Sequence, residues 1–454
     1  MALSNKEFYP TCPFDYRYGS EEMRELFRRN NMLRRFIDVE IALMKALEEV
    51  GIVPKGCHEV LSRCALRVSV KDIDKLESKY GHDIASLAIA LAEACGECGK
   101  YVHLGATSYD VVDTAWSLIV RDALKIVKEK LKNVLDTLIK LSIEHKDTLM
   151  IGRTHGQHAL PITLGFKLAN YVYELSRSYE RICDLEDRLI RGKISGAVGT
   201  MAAWGDKGPK IEELVLKMLN LRAHAITTQV APRDGFAELV SALAILASQL
   251  DRLALEVREL SRNEINELII ASGKIGSSTM PHKSNPTIAE RISGLAKVSR
   301  SLITVALENI PLMHERDLTN SSSERFLIPH IFLVIDQMLI DTERMLRSLR
   351  VNKEAMLRNL NLSKGAIMTE CLMIKLVIKA GIPRHKAHSI LSKLSREALS
   401  RDVSLRDVIN ESDVARLLSR DDINECFDYS KYLGSYEYLI ERALNYAKNA
   451  LRRC

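Results

Sequence analysis

The stretch GKIGSSTMPHKSNP at residues 273–286 concentrates residue types that can hold an anion. Gly276 and the two serines that follow it, Ser277 and Ser278, suit a flexible loop whose backbone N–H groups can approach a negative charge. Lys283 adds a positive charge and Asn285 adds an amide donor. Donors of this kind stabilise a carboxylate that gains negative charge during a reaction. The alternative interpretation is a polar loop between two helices that performs no chemistry.

A second stretch, GRTHGQHALP at residues 152–161, places His155 directly after Thr154. An imidazole suits general acid or base catalysis because its pKa lies near neutral pH. A lone histidine between helices is more commonly a hydrogen-bonded structural residue. The pattern therefore leaves two interpretations of His155 open, a proton donor and a structural side chain.

Three further segments are rich in Gly, Ser, Thr, His and Arg: HLGATSYD at 103–110, TTQVAPRDG at 227–235 and HERDLTNSSSERF at 314–326. In the last of these, Arg316 and Arg325 flank Ser321. A guanidinium fork combined with a hydroxyl matches the oxygens of a phosphate group. In the first segment, Ser108 or Asp110 also suits the N-cap of the helix that follows, and this structural role is compatible with ligand binding.

Plain helical sequence separates these polar segments. Apolar residues recur at intervals of three and four, as in Leu124, Val127 and Leu131, which predicts amphipathic helices. The long helical stretches are predicted at residues 32–50, 112–148, 164–192, and about 236–270, 286–310 and 325–348. Because helices that each carry one apolar face must pack against one another, we expect an all-α fold with a central long-helix bundle. The polar segments then connect helices of a rigid scaffold, where binding and catalysis usually occur.

The length of 454 residues suggests about three domains. We predict an N-terminal helical domain at 1–108, a central long-helix bundle domain at 109–350 and a C-terminal helical domain at 351–454. The last boundary is placed where the helical stretches become shorter and polar breaks become more frequent.

The charge balance excludes a typical nucleic-acid-binding protein. Lys and Arg number 65 against 59 Asp and Glu, and they form no basic block. No apolar run approaches the roughly 20 residues that a membrane span needs. The first residues, MALSNKEFYP, lack the apolar core of a secretory signal. We therefore expect a cytoplasmic protein with a small-molecule substrate and neither a nucleic-acid nor a membrane partner.

Nine cysteines are scattered along the chain. Cys95 and Cys98 form a CxxC pair, but no second pair follows at the spacing of a zinc site, so we expect no metal. Two interpretations remain for the cysteines. They are either reduced, mostly buried thiols, or they form disulfides as in hyperthermophiles, a possibility that the scarcity of Gln supports, with only four in the chain.

The string GSSTMPHKSNP closely resembles the signature of the fumarase/aspartase superfamily, whose members cleave C–N or C–O bonds and release fumarate. The resemblance implies that Ser277 is the general base that removes the Cβ proton, and that Lys283 and Asn285 bind the substrate carboxylate. GRTHGQHALP is similar to a second region of the superfamily, and this similarity implies that His155 is the general acid. It also implies that Glu290 pairs with the catalytic histidine, with an exposed helix-face glutamate as the alternative.

Other segments are similar to one family of this superfamily, the adenylosuccinate lyases, over about residues 14 to 445. The similarity implies a set of substrate-binding residues, which are Arg17, Tyr18, His82, Asp83, His103, Thr107, Ser108, Thr154, Gln229, Lys283, Asn285, Arg316, Ser321 and Arg325. Among these, Arg316, Ser321 and Arg325 match a phosphate clamp, while Thr107 and Ser108 match positions that bind a carboxylate.

The function that this resemblance implies is elimination of fumarate from adenylosuccinate to give AMP, and from the succinylated carboxamide ribotide SAICAR to give AICAR in purine biosynthesis. It further implies a homotetramer whose active sites are shared between chains, and a reaction that requires no cofactor. Two alternatives remain: an enzyme like 3-carboxymuconate cycloisomerase, and a catalytically silent helical scaffold.

Overall fold

The computed structural model describes residues 11–270, 280 and 282–454, and most of these residues are helical. The chain divides into two compact units. The first comprises the described residues up to Leu131 together with Ser178–Leu250 and Gly294–Ile340. The second comprises Lys132–Arg177, the described residues of Asp251–Ser293, and Asp341–Cys454. The expected all-α class is confirmed, and the three-part division of the chain stays a prediction.

Several helices, most of them short and one of 21 residues, precede the longest helix of the described residues. They are α1 (Pro13–Tyr16), α2 (Glu21–Phe27), α3 (Arg29–Glu49), α4 (Cys57–Cys64), α5 (Val70–Tyr80) and α6 (Asp83–Ala94). The long helix α7 (Ser108–Glu144) follows, and then the strands β1 (Leu149–Thr154) and β2 (Gln157–Thr163). The chain continues with α8 (Leu164–Leu189), β3 (Arg191–Gly192), α9 (Gly208–Met218), β4 (Arg222–Ala223), α10 (Asp234–Leu260) and β5 (Leu268–Ile270).

Two more long helices, α11 (Thr287–Glu308) and α12 (Thr319–Arg347), lead to β6 (Leu349–Val351). The remaining helices are shorter: α13 (Lys353–Asn361), α14 (Thr369–Ala380), α15 (Arg384–Arg401), α16 (Leu405–Glu411), α17 (Val414–Leu417), α18 (Arg420–Cys426) and α19 (Tyr436–Leu451). The predicted shortening of the helices beyond about residue 350 is therefore present.

The predicted apolar stripes are buried. In α7, Leu124, Val127, Leu131 and Val134 are completely buried, as a helix with a single apolar face requires. Each unit has its own apolar core. The core of the first unit joins α3, α4, α6 and α9 with the start of α7, and that of the second joins the helices from α13 to α18.

Two predicted stretches differ from the structure. The region 152–161 was expected as an interruption between helices and instead contains most of an antiparallel hairpin, in which β1 pairs with β2. The helical stretch predicted at 236–270 ends at Leu260, and its last residues form β5, which pairs with β6. Short apolar runs such as Leu268–Ile270 do not distinguish strand from helix by their pattern, which explains the second difference.

Cysteine pairs support the disulfide interpretation over reduced thiols. Cys57 bonds to Cys98 and Cys64 to Cys95 in the first unit, and Cys371 bonds to Cys426 in the second. Cys12 carries a free thiol. The CxxC pair thus contributes one sulfur to each of two bridges that tie α4 to the segment after α6.

Candidate functional site

A cavity of about 910 Å³ in the first unit is lined by residues that lie far apart in the sequence. Six of the predicted substrate-binding residues line it, namely His82, Asp83, Ser108, Arg316, Ser321 and Arg325. The start of α6 supplies the first two, and the start of α7 supplies the third. The segment before α12 supplies Arg316, and α12 itself supplies Ser321 and Arg325. The lining also has an apolar part, which includes Phe36, Ile73 and Trp116. The cavity therefore offers charged and hydroxyl groups beside an apolar surface.

Arg316 is the most distinctive group of this cavity. Its Cζ lies 3.8 Å from the ring centroid of Tyr109, and its Nη1 donates to Oε1 of Gln229 over 3.1 Å. Its Nε and Nη2 are buried and have no hydrogen-bond partner among the described residues. Gln229, predicted to contact substrate, thus holds the arginine and is absent from the cavity lining.

His82 and Ser108 are linked through the two helix starts that carry them. The preceding Gly81 adopts the left-handed conformation that ends α5, at a φ of 69°, which glycine adopts without strain. Nδ1 of His82 accepts a hydrogen bond from the backbone N–H of Ala85, so the proton of the neutral ring lies on Nε2. Nε2 lies 3.3 Å from Oγ of Ser108 and can donate to it.

Asp83 and Arg325 form an ion pair at the cavity, with Nη2 of the arginine 2.7 Å from Oδ2 of the aspartate. The Arg325 side chain is exposed. Exposed pairs of this kind contribute about 0–1 kcal/mol to stability, so the arginine is free to exchange its partner for a ligand.

A buried charge cluster lies next to Tyr109. Nη2 of Arg233 donates to Oδ1 of Asp113 over 2.9 Å, and its Nε lies 2.9 Å from Oε1 of Glu324. Burial raises the pKa of Glu324 to about 7, although the charge of Arg233 opposes this rise. Glu324 also lines the cavity, so a carboxyl group that titrates near neutral pH faces the ligand space.

The start of α7 is fixed by a second buried pair. The Thr107 backbone N–H donates to Oδ2 of Asp110 over 2.7 Å, which makes Asp110 the partner that closes the helix start. Nζ of the fully buried Lys193 donates to the other oxygen, Oδ1, over 2.7 Å. Because α7 begins at Ser108, its N-cap position is Thr107, and the prediction of Ser108 or Asp110 as N-cap is wrong. Asp110 acts instead from the first turn of the helix.

His103 is held in a strained backbone conformation, with a φ of 60°. The buried Glu40 binds it twice, through the backbone N–H over 3.2 Å and through Nδ1 at 2.6 Å. Burial lowers the pKa of His103, but the hydrogen bond and the charge of Glu40 outweigh it, so the pKa is raised overall. His103 is not among the residues that line the cavity.

Arg17 and Tyr18, predicted to bind substrate, are likewise absent from the lining of this cavity. The guanidinium of Arg17 lies 5.7 Å from the Tyr18 ring, and the carbonyl of Tyr18 accepts a hydrogen bond from Arg24. Their predicted role stays a prediction.

In the second unit, the β1–β2 hairpin presents the predicted acid. Thr154 and His155 are exposed at the hairpin tip, and His155 has a φ of 53°. Behind the tip, Arg153 binds the buried Glu267 with two hydrogen bonds of 2.7 and 3.0 Å, and Asn359 donates to the same carboxylate. The base of the hairpin is therefore rigid, while its tip faces solvent in the single chain.

Three more predicted residues of the second unit lie shortly before or just inside the start of α11. Lys283 and Glu290 are exposed, and Asn285 is half-buried. In the described part of the chain, no hydrogen bond or ion pair joins Glu290 to His155, and their pairing stays a prediction. Ser277, the predicted base, lies outside the described residues.

Residues 11–270, 280 and 282–454 contain no group of three or more His, Cys, Asp or Glu arranged to hold a metal ion. Of the helices described, none is long and apolar enough to cross a membrane.

Sequence reasoning missed several of these supporting residues. Glu40 falls on the predicted apolar stripe of α3, between Phe36 and Met44, and a carboxylate at such a position signals a buried polar partner. Glu324 and Lys193 carry no comparable signal, because nothing in the local pattern marks them as buried.

Known lyases match this chain over most of its length. The family model described as Lyase matches residues 15–299, and the model described as Adenylosuccinate lyase C-terminus matches residues 365–443. The adenylosuccinate lyase of Pyrococcus abyssi is 44% identical over 446 residues, which cover 97% of this chain and 99% of that protein.

Solved structures support the fold over nearly the full length. The fumarate lyase from Mesorhizobium sp. BNC1 superposes with a TM-score of 0.88 at 29% identity, covering 96% of this chain and 100% of that one. The 3-carboxy-cis,cis-muconate lactonizing enzyme from Pseudomonas putida gives the same TM-score of 0.88 at 29% identity, covering 97% and 100%. The predicted fumarase/aspartase-like architecture is confirmed.

Proposed function

This chain belongs to the adenylosuccinate lyase family, and on that premise we propose that it eliminates fumarate from adenylosuccinate and releases AMP. The observation that carries the proposal is the convergence of six predicted substrate-binding residues on one cavity of the first unit. Adenylosuccinate carries two carboxylates and a phosphate, so its site must supply several cationic and hydroxyl donors. The cavity supplies both kinds of donor beside an apolar surface.

The proposed phosphate site consists of Arg316, Ser321 and Arg325. Arg316 offers two buried N–H groups that have no partner among the described residues, and Arg325 has only an exposed ion pair to exchange. The hydroxyls of Thr107 and Ser108, at the start of α7, are proposed to bind a substrate carboxylate. A helix start suits that role because its free N–H groups and its dipole favour negative charge.

The proposed chemistry begins with Ser277, which removes the Cβ proton next to a carboxylate. That proton is weakly acidic, so the reaction passes through a doubly charged aci-carboxylate. Lys283 and Asn285 stabilise this intermediate, and preorganised donors are commonly worth about 10²–10³ in rate each. His155 then protonates the departing N6 of the purine, and Glu290 orients the imidazole. Since Ser277 is a poor base at its ordinary pKa, a cationic site closed to water must activate it.

We further propose a homotetramer whose active sites draw segments from different chains. The exposed hairpin tip supports this arrangement, because the side chains of Thr154 and His155 have no hydrogen-bond partner among the described residues of the single chain. By family analogy we also propose SAICAR as a second substrate, a role in purine biosynthesis and a cytoplasmic location.

The test is to mix the purified protein with adenylosuccinate and follow its ultraviolet absorbance, with fumarate and AMP quantified at the end. Ser277→Ala and His155→Ala are measured alongside, and His158→Asn is the matched control from the same hairpin. We expect rapid conversion by the parent and by the control, and severe loss in the other two variants. A correctly folded oligomer that leaves adenylosuccinate intact would overturn the proposal, and 3-carboxymuconate would then be tried as substrate.

A further inference from the structure

Tyr109 has no role in the proposed reaction, yet it lies at the centre of the contacts around Arg316. It is buried, and the Arg316 guanidinium lies over its ring with Cζ 3.8 Å from the centroid. Burial raises the pKa of the Tyr109 phenol, and the neighbouring Ser321 side chain opposes this rise. One tyrosine therefore lies under the arginine and beside the serine that are proposed to bind phosphate.

The orientation of Arg316 is fixed on two sides. The Tyr109 ring supports the face of the guanidinium, and Gln229 accepts a hydrogen bond from Nη1. The edge formed by Nε and Nη2 is buried without a hydrogen-bond partner among the described residues. Buried donors left without an acceptor cost free energy, so this edge is built for a ligand with two adjacent acceptor oxygens.

Charge balance also favours an anion at this edge. Arg233 lies near the same ring, with its Cζ 5.5 Å from the ring centroid. Its guanidinium, however, forms ion pairs with Asp113 and Glu324. Within the part of the chain that the structure describes, no carboxylate lies within 4.0 Å of the Arg316 guanidinium nitrogens. The charge of Arg316 is thus available to a ligand, while that of Arg233 is not.

We propose that Tyr109 is a positioning residue that sets the specificity of this site for a phosphate-bearing substrate. Its ring supports the guanidinium plane, which leaves the in-plane N–H groups free to bind a ligand beside Ser321. A phosphate offers one oxygen pair to the arginine and a third oxygen to the serine. The inference rests on the proposed function, because it assigns the phosphate of the nucleotide to this edge.

The experiment measures equilibrium binding of AMP and of adenosine to the purified full-length oligomer by calorimetry. For Tyr109→Leu we expect the affinity for AMP to fall about tenfold or more, since a desolvated cation–π contact is lost, while the affinity for adenosine is unchanged. Tyr109→Phe retains the ring, so its affinity for AMP should fall only a few-fold. Tyr171→Leu, which removes a buried tyrosine stacked on Arg252 in the second unit, is the matched control and should bind AMP like the parent.

A double-mutant cycle separates positioning from a general structural effect. In an Arg316→Leu background, Tyr109→Leu should cause no further loss of AMP affinity, because the tyrosine acts through the arginine. Equal losses for AMP and adenosine, or additive losses in the cycle, would overturn the inference. If Tyr109→Leu fails to fold, Tyr109→Met takes its place in the same cycle with Arg316→Leu. Failure of the parent to convert adenylosuccinate would remove the proposed function, whereas these binding measurements decide the role of Tyr109 separately.

Discussion

Lys193 and Asp110 form an ion pair that is almost completely withdrawn from solvent, with Nζ 2.7 Å from Oδ1. The same carboxylate accepts hydrogen bonds from the backbone N–H groups of Ser195 and Gly196. Through its second oxygen it also binds the N–H of Thr107, at the start of α7. The pair thus fixes the helix start that carries the proposed carboxylate-binding hydroxyls.

Removal of one partner of this pair should destabilise the first unit strongly. Lys193→Met leaves the Asp110 carboxylate buried without its counter-charge, which typically costs about 3–5 kcal/mol. Denaturant unfolding of the variant and the parent measures this difference. Lys210→Met is the control, because it breaks an exposed pair with Glu213 and should cost no more than about 1 kcal/mol. Equal unfolding midpoints for Lys193→Met and the parent would contradict the role assigned to the pair.

Glu324 should impose a pH dependence on stability. Its pKa in the folded state is raised to about 7 by burial, against roughly 4.3 in an unfolded chain. Between these values the folded state binds more protons than the unfolded state, so stability falls as pH rises towards neutrality. Glu324→Gln cannot lose a proton and should flatten this part of the profile. Denaturant unfolding at a series of pH values tests this, and parallel profiles for variant and parent would count against it.

The disulfide of the C-terminal helices should contribute substantially to stability. Cys371 and Cys426 are 55 residues apart, and closing a loop of that length stabilises a protein by about 4 kcal/mol in the chain-entropy account. We expect the double variant Cys371→Ala/Cys426→Ala to unfold at a clearly lower temperature than the parent. Cys12→Ala, which removes a free thiol, should melt like the parent. A melting temperature unaffected by loss of the pair would show that the bridge is not formed in solution.

Shared active sites predict complementation between inactive chains. Ser277→Ala and His155→Ala homo-oligomers should each be nearly inactive. When the two are denatured together and refolded, hybrid oligomers should contain some sites that combine an intact serine with an intact histidine. Activity of the mixture well above that of either variant refolded alone is the expected result. Absence of any gain, in mixtures shown to contain hybrids, would place both residues of a site on one chain.

Much of the helical scaffold could be predicted from the sequence, because the apolar stripes of the long helices repeat over many turns. The predicted stretch 164–192 differs from the observed α8 by three residues, and 325–348 lies almost entirely within α12. The short strands and the ends of some helices were less predictable. The β1–β2 hairpin and β5 have short apolar runs, whose pairing depends on residues far along the chain.

The residues of the candidate site were predictable only where they belong to the polar segments between the helical stretches. Arg316, Ser321 and Arg325 stand out as exceptions in helical sequence, and the structure gathers them at one cavity. The supporting residues were not predictable in this way. Tyr109 and Lys193 act through partners from other segments, and no local pattern announces that a particular lysine is buried or that a tyrosine lies under an arginine.

The most direct test of the account is the steady-state rate of fumarate release from adenylosuccinate by the parent oligomer and by Arg316→Leu. We expect equal amounts of fumarate and AMP from the parent. For the variant we expect a KM increase of about tenfold to a hundredfold, since a charge-assisted hydrogen bond contributes about 1.5–3 kcal/mol. No fumarate from a correctly folded parent, or an unchanged KM in the variant, would contradict it.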